Sequence, residues 1–334
     1  MLSTRNITFC LTLVIVLLSA CKKGAAPKPS FDIFALGSVS MANISTPAYW
    51  KNGQFMSLQA PISANALTNT IALHGTAIYT AGSLTGTNGM ARAAYWKNGG
   101  LKDVSAGFAA STIKRIAFRG DDTYMFGFAG TSTSTYPVIW KNDVAITLPP
   151  IAGIRDYLDL AFSGSDTYLL TNALTTTNTQ VAGYVKNGAL VKVRDTTSSS
   201  DATAMTISGS DVYLCGNGVI NSTVTAVYWK NGVRVQLASQ GQAVANAITV
   251  SGNDVYVAGN NNGATIWKNG QVIFHDSGAL SAALSIAVNG TDVYAGGYSH
   301  SGIATIWKNG QAMQLPTSMP GESSRINKLV LVMP

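Results

Sequence analysis

Seven near-copies of one short unit govern what this chain can fold into. Trp50-Lys-Asn-Gly returns as Trp96-Lys-Asn-Gly, Trp140-Lys-Asn-Asp, Val185-Lys-Asn-Gly, Trp229-Lys-Asn-Gly, Trp267-Lys-Asn-Gly and Trp307-Lys-Asn-Gly, at spacings of 46, 44, 45, 44, 38 and 40 residues. A second motif, near Gly-x-Asp-Val-Tyr-x-Ala-Gly, places an aromatic at Phe34, Tyr79, Tyr124, Tyr168, Tyr213, Tyr256 and Tyr294. A unit of this size cannot bury an apolar face alone and must stack against copies of itself. Of the 334 residues 46% are apolar, enough for a sizeable core, and only 11% are charged. So low a charge content excludes a coiled coil, a charged helical solenoid and a long acidic or basic tail.

Each unit reads as four strands. In the sixth, Ala247-Ile-Thr-Val is short and β-branched, Ser251-Gly-Asn-Asp is a turn, and Val255-Tyr-Val-Ala is a second strand. Ala264-Thr-Ile-Trp is the third, and Asn269-Gly270 suits a two-residue type I′ hairpin leading to Gln271-Val-Ile-Phe. Four short strands per repeat is the period of a β-propeller. No segment after residue 30 carries a long helical stripe. The repeats open at Phe31-Asp-Ile-Phe-Ala-Leu-Gly, which matches a second strand, and close at Ile326-Asn-Lys-Leu-Val-Leu-Val, which matches a first. The expected fold is therefore all-β: a seven-bladed β-propeller of four-stranded blades spanning 31–334, its ring closed by the C-terminal strand in the first blade. Closure removes edges that would invite aggregation. The recurring tryptophans and tyrosines are expected to pack blade against blade.

The chain resembles bacterial extracytoplasmic propellers built from Trp-x-Asn-Gly repeats, distantly including the HAF-type extracellular repeat. The resemblance covers Phe31 to Pro334 and implies the architecture and an extracytoplasmic setting, with little about function. The sequence lacks the Gly-His and Trp-Asp pairs of WD repeats. Ser163-Gly-Ser-Asp-Thr-Tyr lacks the glycine and aromatic spacing of the sialidase Asp-box.

The first thirty residues read as an address. After Arg5, an apolar run from Ile7 to Ala20 has 14 residues, short of the roughly 20 a membrane span needs and right for a signal-peptide core. Its end, Leu18-Ser-Ala-Cys21, resembles the lipobox of bacterial lipoproteins, which implies a signal peptide over 1–20, cleavage before Cys21 and acylation of that cysteine. Residues 21–30 read as a flexible tether. With Cys10 removed and Cys21 lipidated, Cys215 remains alone of the three cysteines, expected as a small buried apolar residue. The expected location is the bacterial cell envelope, as an outer-membrane lipoprotein on the periplasmic side or the cell surface. Lys22-Lys23-Gly24 lacks acidic residues that serve as an export cue in some bacteria, which favours the periplasmic side.

The topology sorts residues onto two faces. First-to-second and third-to-fourth turns share one face, with a ring of lysines from Lys51 to Lys308 and recurring aspartates explained by turn chemistry. The formal charge of +7 is thus largely a distributed ring offset by aspartates, and no nucleic-acid partner is expected. The tether leaves from this face, where the lysines either solvate their hairpins or add attraction to anionic headgroups.

The opposite face carries polar, nearly uncharged loops that suit glycans or peptides, or solubility alone. The interval from aromatic to tryptophan slot is 16 or 17 in units one to five but 11 and 13 in units six and seven, which predicts a lowered rim there. Arg115, Asp159 and Lys328 share one register on inner strands and are expected near the channel mouth, with Asp156 and Tyr157 beside them. An Arg115–Asp159 ion pair is one reading of these charges; ligand binding is the other. No catalytic residues, metal site or cofactor are expected: His275, Asp276 and His300 have no diagnostic ligand spacing, and no nucleophile or phosphate-loop motif occurs.

The expected function is a membrane-anchored, monomeric binding module for a glycan or an envelope protein. The alternatives are a glycan-active enzyme, which requires an acid pair around the channel mouth, and a structural subunit, which requires a broad apolar patch.

Overall fold

In every blade a two-residue hairpin, Asn-Gly in six and Asn-Asp in the third, sets the twist that the rest of the sheet follows. In the computed structural model, which describes residues 31–41, 44–58, 65–86, 89–105, 107–194, 199–239 and 241–332, Asn52 and Gly53 lie at φ 51° and 83°. Both central residues of a type I′ turn need such angles. The other six hairpins repeat the geometry, with Asp143 at φ 72° in place of glycine in blade three. The signal segment, Cys21 and the tether lie outside the described residues.

The repeats form seven four-stranded antiparallel sheets. Blade two is representative, with strands Asn65–His74, Ala77–Thr85, Ala91–Lys97 and Gly100–Asp103 from channel to rim. Blade one is assembled from both ends of the ring. Its inner strand, Ser323–Val332, pairs with Asp32–Met41, in register from Asp32↔Val332 to Ser40↔Ser323. The expected seven blades and their C-terminal closure are both present.

The core consists of seven apolar clusters, each shared by two neighbouring blades. Trp140 of blade three packs in one cluster with Tyr79 of blade two, and Trp229 of blade five with Tyr168 of blade four. Trp50 of blade one joins Tyr294 of blade seven, with Ile326 and Leu329 of the closing strand. Thus the tryptophan slot of one blade meets the tyrosine slot of the blade before it, which explains why the two motifs recur in equal number. All six tryptophans are at most 1% exposed. Trp50 and Trp267 also donate their indole N–H to the Pro316 and Ala238 carbonyls, each at 2.7 Å, in the segments that follow the preceding blades' outer strands. Cys215 is fully buried in the cluster between blades five and six, and burial pushes its thiol up to about 12.

Each inner strand carries a β-bulge at a corresponding level, between Thr68 and Thr70 in blade two and between Ile113 and Arg115 in blade three. Opposite it the second strand carries glycine in six blades. A Cβ on Gly127 would sit 1.9 Å from the Thr112 carbonyl oxygen, and one on Gly82 1.8 Å from that of Leu67. Blade four has Thr171 there and a second bulge between Ile154 and Asp156, which makes room for the side chain.

Candidate ligand-binding face and central channel

On the tight-turn face, each aspartate at the start of a second strand is clipped by the hairpin of its own blade. Asp122 accepts a hydrogen bond from Asn142 Nδ2 at 2.7 Å and meets Lys141 Nζ at 2.7 Å, while Asn142 Oδ1 accepts from the Thr123 N–H. Lys141 lies over the Tyr124 ring, 5.5 Å from its centroid. Asp32, Asp166, Asp211, Asp254 and Asp292 repeat the arrangement with Lys51, Lys186, Lys230, Lys268 and Lys308. The hydrogen bond from its lysine, and then that from its asparagine, hold Asp122, Asp166, Asp211, Asp254 and Asp292 below the usual carboxylate range. Blade two has Ala77 at this position, and Lys97, without an aspartate there, lies over the Tyr79 ring. The lysine ring is therefore largely neutralised blade by blade, and its repetition has a structural cause.

In the channel, the register shared by Lys328, Arg115 and Asp159 extends around the ring. Each pairs with the residue that precedes the glycine slot of its second strand: Leu36↔Lys328, Ala81↔Thr70, Phe126↔Arg115, Leu170↔Asp159, Cys215↔Ala204, Ala258↔Ala247 and Gly296↔Ser285. From blade one to blade seven this level therefore reads Lys328, Thr70, Arg115, Asp159, Ala204, Ala247, Ser285. One arc is charged and the other is small. Arg115 and Asp159 form a bidentate ion pair between blades three and four, with side chains 22% and 7% exposed. Asp159 also accepts the Leu160 N–H at 2.7 Å.

The bulge residues of other blades latch inner strands together. Asn327 donates to the Thr68 carbonyl, Asn69 to Ile113, Thr203 to Ala245 and Asn246 to Ala283. Blade three has Lys114 at the bulge, and there the ion pair supplies the link. Lys328 has no hydrogen-bond or ion-pair partner among the described residues. The Arg115 charge first, and burial second, push its ammonium down to about 8, against an opposing pull from Asp159.

Tyr157, expected at the mouth, is 6% exposed and packs with Phe126, Leu160 and Leu169 in the cluster between blades three and four. The register shifts on either side of it, Ile154/Asp156 and Tyr157/Asp159, reset the alternation that would otherwise decide its direction. Burial raises its phenol. Asp156 is half-buried and accepts the Asn172 N–H at 3.0 Å. It lies near enough to Asp201 of blade five to raise that carboxyl. Burial is the larger cause of that rise, and the hydrogen bond from Asn217 opposes it.

The rim is lowered at blades six and seven by shorter strands. Their second strands have 7 residues each, against 9 or 10 in blades one to five. At roughly 3.3 Å per residue this lowers the wall by about 7–10 Å. Two clefts open beside it. One of about 480 Å³ lies over the seam of blade one, lined by Ser38, Ser40, Ser45, Ser323 and Ser324, with Tyr298, Arg325 and Leu67 at its sides. The other, of about 360 Å³, is bordered by Asn261, Asn262, Ser239 and His275. His275 Nδ1 lies 3.0 Å from the Thr265 hydroxyl, and His74 stacks on Phe118 at 4.6 Å. Among the described residues no three His, Cys, Asp or Glu side chains come together as metal ligands. Sequence reasoning missed the seam cleft. Its one signal was the run of serines near both ends of the repeat region.

No protein-family model matches the chain, and no curated protein is similar to it in sequence. Among solved structures it is similar to a puromycin-hydrolysing peptidase of Mycobacterium tuberculosis, at 10% identity and a TM-score of 0.52, over 86% of this chain and 53% of that one. The chain thus spans about half the length of that peptidase. It is also similar to the computationally designed protein Ika8, at 14% identity and a TM-score of 0.48 over 90% of this chain and 96% of that one. A third is the WD40 β-propeller domain of Doa1, at 13% identity and a TM-score of 0.46 over 82% and 94%. At such identities the likeness is one of fold, and propellers host many unrelated functions. The fold is consistent with a binding or interaction module.

Proposed function

We propose that this chain is a membrane-tethered, extracytoplasmic binding module that recognises a glycan on its loop-bearing face. The observation that carries the reading is the cleft over the seam of blade one. Five serines give it a dense set of hydroxyl donors and acceptors, Tyr298 and Leu67 give apolar flanks, and exposed Arg325 gives a charged edge. Sugar recognition needs that mixture of hydroxyl pairing and apolar surface, on a scaffold that holds it rigid. The lipobox resemblance at Cys21 supports the tether, the lipid and an envelope location. The test is a glycan and peptidoglycan-fragment array probed with the full chain and with the Tyr298→Ala, Arg325→Ala double variant. Saturable binding that the double variant loses, with its circular dichroism unchanged, supports the reading. Binding to no glycan overturns it in favour of a protein partner.

A second reading, glycan cleavage, draws on Asp156 and Asp201. A carboxyl with raised pKa beside another carboxylate is the arrangement of an acid–base pair. Turnover of a glycan that Asp201→Asn abolishes while binding persists would establish it. The structural-subunit reading draws on no such observation. Exposed apolar residues such as Met56, Val144, Ile146, Val233 and Ile273 lie singly or in pairs on separate outer strands around the rim.

A further inference from the structure

At the channel level traced above, two cations face one carboxylate. Asp159 is fully engaged by Arg115 and by the Leu160 N–H. Lys328 is left with a charge and three donors that nothing among the described residues takes up. Thr70 holds the register position between Lys328 and Arg115, and its hydroxyl is buried with no hydrogen-bond partner. Among the described residues, the charges that act on Lys328 are those of Arg115 and Asp159. The neighbouring strands contribute Leu36, Thr70 and Ser285 at this level, none of them charged, and the Ser285 hydroxyl already accepts the Leu329 N–H at 2.9 Å. Across the ring the same level carries only the small side chains of Ala204 and Ala247, which pack into the clusters between blades.

An isolated ammonium beside a guanidinium is costly to hold in a half-buried position unless an anion completes it. We propose that the channel binds a small oxyanion, a carboxylate or a tetrahedral phosphate or sulfate group, between Lys328 and Arg115, with Thr70 as a further donor. The site is separate from the seam cleft and does not depend on the glycan reading. Arg115 already gives Nε and Nη2 to Asp159, so the anion would meet its Nη1 end and the point charge of the ammonium. Protonated Lys328 is what binds. As pH rises past about 8 the ammonium loses its proton, and affinity for an anion falls.

The test is calorimetric titration of the full chain, in detergent, with sodium sulfate and with sodium glucuronate. Neither probe changes charge between pH 7 and 9, and chloride holds ionic strength constant. Saturable binding of at least one probe at pH 7 is expected, weakening toward pH 9. Lys328→Met keeps the length and removes the charge, so the fold is expected to survive, as circular dichroism would verify. It should lower affinity by about tenfold or more, the range of a charge-assisted hydrogen bond, and abolish the pH dependence. Thr70→Val should weaken binding several-fold. Sulfate alone would identify a phosphoryl or sulfate group, and glucuronate alone a carboxylate; either supports the site. Saturation by neither probe, or an unchanged affinity in Lys328→Met, would overturn it. Tyr298→Ala with Arg325→Ala should leave oxyanion binding intact, so the cleft and the channel can fail separately.

Discussion

Thr171 shows how a single side chain rewrites its blade. In the other six blades a glycine faces an inner-strand carbonyl too close for any Cβ. In blade four the hydroxyl of Thr171 donates to the Asp156 carbonyl, turning the obstacle into a partner, and the additional bulge widens the strand to allow it. The two slots should therefore respond unequally to substitution by alanine. Gly127→Ala is expected to destabilise by about 3 kcal/mol or more, the scale of an overpacked core. Thr171→Ala, which loses one hydrogen bond, should cost about 1 kcal/mol. Denaturant midpoints would check both, and equal losses would refute the account. Asp143 is the second residue out of place. It occupies the left-handed position that glycine fills in the other six hairpins. Asp143→Gly should raise stability by about 0.5–1 kcal/mol, provided that the relief of the left-handed backbone outweighs the contacts it gives up, a partly exposed, screened pair with Lys102 and a hydrogen bond with Tyr95.

At the scale of the blade, the clip of aspartate, lysine and asparagine ties two turns of one sheet together. It has a pH signature. The folded-state carboxyls of Asp122, Asp166, Asp211, Asp254 and Asp292 titrate below their ordinary value of 3.8. Their contribution is therefore present above pH 3.8 and lost as pH falls through the lower folded values. The lysines Lys141, Lys186, Lys230, Lys268 and Lys308 titrate above 10.5, so theirs is present below 10.5 and lost as pH rises through the folded values. Thermal midpoints should form a plateau between the two limits and fall on both sides. A variant with all five aspartates changed to asparagine should begin lower and lose the acid-side drop; a drop as steep as the parent's would reject the clip as its cause. The clip also marks what the sequence made legible. The hairpin, its asparagine and the recurring aspartate are local signals and could be read at once, but their joint role appears only when the two turns are seen side by side. The candidate sites were legible in part. The common register of Arg115, Asp159 and Lys328 followed from aligning repeats. Adjacency in the sequence groups Tyr157 with Asp159, but the two bulges that flank it, which no local signal announces, accompany its packing into the cluster between blades three and four. The seam cleft was out of reach because Ser38, Tyr298 and Ser324 come from three distant segments that only the closed ring brings together.

For the whole molecule, closure decides whether seven weak units become one stable body. Repeats in a row have two unsatisfied ends, and a ring has none. Here closure rests on the inner strand of blade one. Ser323–Val332 supplies Ile326 and Leu329 to the cluster shared by blades one and seven. Ser324 accepts the Ala304 N–H of blade seven at 2.8 Å, and Asn327 donates to blade two. The same strand carries Lys328, so closing the ring and completing the charged arc of the channel are one event. Removal of residues 321–334 should therefore do more than delete one strand's contacts. It exposes the edge of Asp32–Met41 and uncovers the blade-seven side of the Trp50 cluster, and cooperative unfolding should be replaced by a broad, early transition. A synthetic peptide of residues 321–334 added in trans should restore a sharp transition, since the vacant edge specifies its register residue by residue. Scanning calorimetry of the truncated chain, with and without the peptide, reads both effects. A truncated chain that melts as sharply and as high as the parent would show that blade-to-blade packing suffices without closure, and would remove the ring as the source of stability.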